Sequence, residues 1–123
     1  QTLQQVASLL AAAARDTDLV TRYGGGEFVV VMPQTDLDSV SIFAQRFRQK
    51  IERELQVTLS GGVVAALDGD TSESIVTRAD SALYSAKAAG RNQVYRHNGI
   101  ATEPADAAIG DYAAEGAVVH AGG

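Results

Sequence analysis

Three groups of polar residues in this chain have types and spacings that could do chemistry. Arg15 and Asp18 lie three residues apart, and a glycine-rich run ending in Glu27 follows after five more residues. Lys87 and Arg91 lie four apart near the end of a helical pattern, where two cations on one face could meet a triphosphate. Simpler interpretations stay open: a local ion pair at a helix end, an acid at an exposed hairpin tip, and basic charges favoured by the helix dipole.

Hydrophobic periodicity predicts that helices and strands alternate around these groups. The three glycines after residue 23 tolerate the positive φ of a tight hairpin. Thr35 is expected to cap the helix that follows the hairpin, and Gly61 and Gly62 indicate a bulge or a close backbone approach. The predicted helices span residues 2 to 15, 36 to 54 and 75 to 90, and the predicted strands span residues 19 to 23, 28 to 32, 57 to 66 and 94 to 96.

These elements predict a layered α/β sandwich with a mostly antiparallel sheet and flanking helices. The run 28 to 32 is apolar on both faces, so it should lie inside a sheet that is covered on both sides. Such a strand needs a neighbour that the remaining sequence does not obviously supply. From Asn98 onward the chain is rich in Ala, Gly and acids, so we expect a folded domain over residues 1–97 and a disordered tail over residues 98–123.

The composition limits the function classes. The chain has 123 residues, 46% of them hydrophobic, which suits one domain with one core. All ten Lys and Arg precede residue 97 and face eleven acids there, so we expect no DNA or RNA partner. The lack of cysteine fits a reducing compartment and favours a cytoplasmic location. No apolar run is long enough to span a bilayer, so any membrane attachment would belong to a longer parent chain.

The segment from residue 15 to residue 28 resembles the signature of GGDEF domains, the bacterial diguanylate cyclases. A second stretch resembles the Ser-x-Gly strand of the family, and a third resembles its AD-x-ALY-x-AK-x-x-GRN-x-V segment. The resemblance therefore covers residues 1 to about 95. It is carried by Arg15, Asp18, Gly24, Gly25, Glu27, Phe28, Leu59, Ser60, Gly61, Gly62, Val63, Arg78, Ala79, Asp80, Ala82, Leu83, Tyr84, Ala86, Lys87, Gly90, Arg91, Asn92 and Val94.

The resemblance implies a nucleotide-cyclase palm-like fold with a ferredoxin-like core. The family begins with a strand and two helices that would precede Gln1, so we expect a partial GGDEF domain in which the first strand is absent. That upstream segment is where the family keeps its central strand, a metal-binding Asp and residues that hold the substrate guanine.

The family joins two GTP molecules into cyclic di-GMP, a reaction that depends on positioning and on divalent metal. The family keeps a metal-binding acid at the position of Gly26, and glycine has no side-chain oxygen. Glu27 remains, but a single carboxylate holds Mg²⁺ poorly, so we expect no intact metal site and weakened catalysis. By resemblance, the substrate phosphates bind at Lys87, Arg91, Gly24 and Gly25.

Arg15 and Asp18 resemble the RxxD inhibitory site of the family, which binds cyclic di-GMP. Guanine presents acceptors on one edge and N–H donors on another, so an arginine and a carboxylate suit it. By the same resemblance, Arg46 matches a second arginine that reaches this ligand from a neighbouring subunit, which implies a homodimer. Its simpler interpretation is a solvated helix face.

Three hypotheses follow. The first is a degenerate GGDEF domain, catalytically impaired, that binds cyclic di-GMP as a receptor or regulatory module. The second is an active diguanylate cyclase that uses GTP and Mg²⁺. The third is a structural domain without nucleotide binding, so whether the chain is an enzyme stays open at this point.

Overall fold

The computed structural model describes residues 2–15, 18–22, 27–106 and 116–122. Helices and strands alternate through most of this part of the chain, as predicted. The helices are α1 (Thr2–Ala13), α2 (Leu37–Leu55) and α3 (Ser72–Ala88); the strands are β1 (Leu19–Arg22), β2 (Glu27–Pro33), β3 (Ser60–Ala65), β4 (Val94–His97), β5 (Thr102–Pro104) and β6 (Gly116–Gly122).

The six strands form one sheet in the order β1-β2-β6-β3-β4-β5. Every neighbouring pair is antiparallel except β3 and β4, which are parallel. β6 lies between β2 and β3, and its residue Val119 is opposite Val30 on one side and Val63 on the other. A mostly antiparallel sheet flanked by helices is the predicted fold class, and it is confirmed.

The segment after residue 97 differs from the disordered tail that we expected. β5 pairs with β4, and β6 supplies the neighbour that the doubly apolar β2 requires. The expectation that no part of this sequence provides such a neighbour is wrong. The seven residues of β6 are Gly, Ala, Val and one His, so they show neither clear alternation nor high hydrophobicity. Their pairing depends on strands more than fifty residues earlier in the chain, which local patterns do not reveal.

Both faces of the central strands are buried because helices cover the sheet on both sides. Residues of β2, β6 and β3 alternate between the two faces. The face under α1 and α2 receives Val30, Val119 and Val63 together with Val6, Leu10, Val40, Phe47 and Ile51. The opposite face, under α3, receives Val29, Val118 and Val64 together with Ile75 and Ala79.

The start of α2 corrects one prediction. Asp36, not Thr35, is the N-cap residue, because its Oδ1 accepts a hydrogen bond of 2.7 Å from the backbone N–H of Ser39. Thr35 is buried and its hydroxyl donates to the backbone oxygen of Pro33 at 3.0 Å. This side chain is therefore free of the capping role and takes part in the candidate site.

α3 packs very closely on β3. A Cβ placed on Gly62 would lie 2.3 Å from the backbone nitrogen of Leu83 and 2.4 Å from the backbone oxygen of Ala79. The close backbone approach predicted from the two glycines is confirmed at this position. Among the aromatic residues, Phe43 packs against the core, whereas Tyr84 is 75% exposed.

No helix in the described part of the chain has the length and apolar character needed to cross a membrane.

We expect Gly62→Ala to lower the free energy of unfolding by about 3 kcal/mol or more, because the added methyl group collides with backbone atoms that cannot rotate away. The control is Gly61→Ala, whose Cβ would meet only the two methyl groups of Val94, at 3.4 and 3.8 Å. That variant should stay within about 1 kcal/mol of the parent chain. Urea denaturation followed by circular dichroism measures both, and equal stabilities would contradict the close packing.

We also expect Val119→Ala to cost about 2 kcal/mol, because Val119 is buried in the centre of the sheet. Val31→Ala on the adjacent strand removes the same atoms from a valine that is 38% exposed and should cost less than about 1 kcal/mol. The same denaturation assay compares them. If residues 116 to 122 did not pair in the sheet, Val119→Ala would leave the stability unchanged.

Candidate functional site

Arg15 and Asp18 form a multiply hydrogen-bonded ion pair directly after α1. Nε and Nη2 of Arg15 donate to Oδ1 of Asp18 at 3.2 and 2.9 Å, and the backbone N–H of Arg15 donates to Oδ2 at 2.8 Å. The side-chain hydrogen bonds to Asp18, together with its negative charge, raise the pKa of the Arg15 guanidinium above its usual range. The structure thus brings together the two residues that the sequence predicted as a pair.

The same arginine is tied to the far end of β2. Its Nη2 donates to the hydroxyl of Thr35 at 2.7 Å and to the backbone oxygen of Pro33 at 3.1 Å. Thr35 in turn donates to Pro33, so the guanidinium sits in a small closed set of hydrogen bonds. Sequence reasoning missed Thr35 as part of this site, because a threonine directly before a helix is read first as a cap.

The two members of the pair differ in access. The Arg15 side chain is 51% exposed, whereas the Asp18 side chain is fully covered. In this conformation Asp18 orients the arginine, and Arg15 is the member that solvent can reach. This differs from the expectation that both side chains face a ligand together.

The glycines Gly24, Gly25 and Gly26 lie outside the described residues. The backbone of Glu27 is described as the first residue of β2, opposite Gly122 of β6. Within the described part of the chain, no group of three or more His, Cys, Asp or Glu side chains could hold a metal ion.

The second candidate group lies at the end of α3. Lys87 is in the last turn, but the helix ends at Ala88, so Arg91 lies beyond it in the following turn. The argument that both project from one helical face therefore does not apply. Arg91 has a φ of +63°, and its backbone N–H donates to the oxygen of Ala86 at 3.0 Å. The turn brings the backbone of Arg91 back toward the end of the helix.

Asn92 follows Arg91 and connects this turn to two other elements. Its side chain accepts from Arg48 and donates to Glu52, both on α2, and its backbone N–H donates to the hydroxyl of Ser60 on β3. Sequence reasoning gave Asn92 and Arg48 no role. The available signal was weak: asparagine adopts a positive φ more often than most residues do, and Arg48 and Glu52 have the spacing of an ordinary helical ion pair.

Arg46 lies ten residues into α2, which places it about 14 Å along the helix axis from Leu37 and the Thr35 contact. It is exposed and lines a surface depression together with the buried Arg96. The structure therefore places Arg46 apart from Arg15 within one chain, and its role across a subunit boundary stays a prediction.

Asp68 and Asp70 lie two residues apart in the loop before α3, and two such carboxylates could in principle meet a cation. Asp70 accepts hydrogen bonds from the backbone of Leu67 at 2.7 Å, from the hydroxyl of Ser74 at 2.7 Å and from the guanidinium of Arg78. Burial on its own would raise the pKa of Asp70, but these donors outweigh it and hold the pKa below its ordinary value. A carboxylate filled by donors in this way stabilises the loop before α3 and is a poor cation ligand.

Comparison with known proteins identifies relatives of this chain. The family model described as "Diguanylate cyclase, GGDEF domain" matches residues 1–93. The response regulator PleD of Caulobacter vibrioides is 45% identical over 105 aligned residues, which cover 76% of this chain and 23% of that protein.

Two further relatives carry the cyclase name. Diguanylate cyclase A of Treponema denticola is 37% identical over 75% of this chain and 27% of its own length. Diguanylate cyclase VdcA of Vibrio cholerae is 36% identical over 76% of this chain and 31% of its own length. The chain thus spans about a quarter of the length of the curated relatives that it matches.

Proposed function

This chain belongs to the GGDEF domain family, and from that premise we propose that it is a catalytically impaired member that binds cyclic di-GMP at Arg15 and Asp18 as a receptor or regulatory module. The observation that carries the proposal is the geometry of Arg15. Its guanidinium is half exposed, yet Asp18, Thr35 and Pro33 fix it in place. An arginine that is held in position before the ligand arrives loses little side-chain entropy on binding.

Guanine chemistry suits this arrangement. The O6 and N7 atoms of guanine accept hydrogen bonds along one edge, which is the edge that an arginine fork reads. In the described conformation Arg15 supplies the donors, and the covered Asp18 keeps the fork oriented. If Asp18 also reads the guanine N–H groups, its carboxylate must turn away from Arg15 when the ligand binds.

The signature glycine argues against efficient catalysis. Transfer of a nucleotidyl group needs a divalent ion that neutralises phosphate charge, and carboxylates are the usual ligands of Mg²⁺. Gly26 stands where the family keeps an acid, and Glu27 is its remaining neighbour at the tip. Mg²⁺ is therefore a cofactor only in the alternative in which the chain is an active cyclase.

Phosphate binding is separable from the chemistry. We propose that Lys87 and Arg91 bind the terminal phosphates of GTP even when no product forms, with Gly24 and Gly25 close to the same phosphates.

Arg46 would contribute to cyclic di-GMP binding only from a second copy, in a homodimer. A cytoplasmic location stays a prediction from the cysteine-free composition.

The active cyclase is the second candidate, and the diguanylate cyclases among the relatives of this chain favour it. The two candidates differ in one measurable respect, which is turnover of GTP. A structural domain without nucleotide binding would show neither turnover nor cyclic di-GMP binding.

For the receptor function we expect Arg15→Ala to weaken cyclic di-GMP binding between about 10-fold and 100-fold, because it removes hydrogen bonds between a charged donor and the ligand. Isothermal titration calorimetry with the whole chain measures this. The matched control is Arg53→Ala, another exposed arginine near a helix end, which should bind like the parent chain. Equal heats in all three proteins would show that the ligand binds without Arg15, and no heat in any of them would overturn the receptor function.

For the impaired catalysis we expect no detectable cyclic di-GMP from GTP and Mg²⁺ with the parent sequence. Gly26→Asp should increase Mg²⁺-dependent GTP binding at least several-fold, because it supplies a carboxylate at the tip. Gly26→Asn, which has the same size without the charge, is the control. Chromatography of the nucleotides measures turnover, and robust product formation by the parent sequence would overturn the receptor proposal in favour of the cyclase.

A further inference from the structure

The turn after α3 has an unusual backbone. Gly90, Arg91 and Asn92 have φ values of +126°, +63° and +51°, so three consecutive residues lie in the left-handed region. Glycine adopts this region freely, whereas the Cβ atom of any other residue makes it unfavourable. Two successive residues of that kind persist only where the surroundings hold them.

Asn92 provides most of that restraint. Its Oδ1 accepts from Nη1 of Arg48 at 2.9 Å, and its Nδ2 donates to Oε2 of Glu52 at 3.0 Å. Its backbone N–H donates to Oγ of the buried Ser60 at 3.1 Å. A single residue thus connects the turn to both α2 and β3.

Arg48, which donates to Asn92, is itself fixed by its neighbours and is mostly shielded from solvent. Its side chain is 15% exposed, whereas that of Arg53 on the same helix is 70% exposed. Nε of Arg48 donates to the side chain of Gln45 at 3.1 Å, and the guanidinium lies 3.5 Å from Glu52. These contacts fix the direction in which Nη1 meets Asn92.

Arg91 itself is fixed on both sides through its backbone. Its N–H donates to Ala86 of α3 at 3.0 Å, and its carbonyl accepts from Nε2 of Gln93 at 3.1 Å. The carbonyl of Gln93 in turn accepts from the N–H of Gly61 at 3.0 Å. The Cα of Arg91, and hence the direction in which its side chain leaves the backbone, is therefore determined by this network.

We propose that Arg48 and Asn92 are positioning residues for the phosphate-binding pair: they hold the turn in the conformation from which Arg91 joins Lys87 at the terminal phosphates of a nucleoside triphosphate. The inference rests on the proposed function of Lys87 and Arg91. Neither Arg48 nor Asn92 touches the ligand. Their effect is to remove the freedom of the turn before the triphosphate binds, so that its ordering does not weaken the affinity.

Two substitutions in the full chain test this role with little other disturbance. Asn92→Gly keeps a residue that accepts the left-handed conformation while removing the side chain, and Arg48→Met keeps the aliphatic part of the arginine. Each should weaken the binding of GTP and of inorganic tripolyphosphate by about tenfold. The double variant should bind no more weakly than either single variant, because both break the same hydrogen bond.

The controls separate positioning from general loss of structure. Arg53→Met removes one positive charge from the same helix and should bind both probes like the parent chain. Cyclic di-GMP binding, which we assign to Arg15 at the other end of the sheet, should stay unchanged in Asn92→Gly and Arg48→Met. Calorimetry gives the affinities, and urea denaturation shows that each variant is folded at the assay temperature.

The outcomes distinguish a failure of the phosphate site from a failure of the positioning role. If Lys87→Ala and Arg91→Ala leave both probes bound as before, the phosphate site is wrong and the positioning role falls with it. If those variants weaken binding but Asn92→Gly and Arg48→Met do not, only the positioning role is overturned. It is also overturned if the loss for cyclic di-GMP equals the loss for tripolyphosphate. Should Asn92→Gly fail to fold, Arg48→Met decides alone.

Discussion

The pairing of β6 with both β2 and β3 is the interaction on which the sheet depends. The hairpin of β1 and β2 lies on one side of β6, and β3, β4 and β5 lie on the other. Without β6 the two parts would be connected through α2 and the loops around it, and two rows of backbone donors and acceptors would lose their partners. Val119 and Ala121 lie in the core on one face of this strand and Val118 lies in the core on the other, so helices cover the strand from both sides.

The local elements of this fold could be predicted from sequence, whereas their long-range partners could not. α2 shows its helical period in Val40, Phe47 and Ile51, and the run that becomes β2 reveals by its two apolar faces that it is covered on both sides. β6 has no comparable local signal, since a short run of Gly, Ala and Val becomes a strand only when two unpaired strands receive it. Sequence reasoning recognised the vacancy beside β2 but not the segment that fills it.

The candidate site shows the same division. The spacing of Arg15 and Asp18 predicted their pairing. The structure adds Pro33, the last residue of β2, and Thr35 just beyond it, which are eighteen and twenty residues from Arg15. The helical spacing of Lys87 and Arg91 gave a wrong geometry, because the helix ends between them. What decides the position of Arg91 is a set of hydrogen bonds from α2 and β3, and contacts of this kind leave no pattern in the sequence around residue 91.

The central position of β6 also has a consequence for how the chain acquires its structure during synthesis. β2 leaves the ribosome more than eighty residues before β6 does. The edge of β2 that pairs with β6 therefore stays unpaired while α2, β3, α3, β4 and β5 are made. Contacts so distant in the chain slow folding, and an apolar edge exposed for that time can associate with other nascent chains. The yield of native protein in the cell should therefore be governed by the interval before the last strand arrives, and a chaperone that shields the edge of β2 would be of most use during that interval.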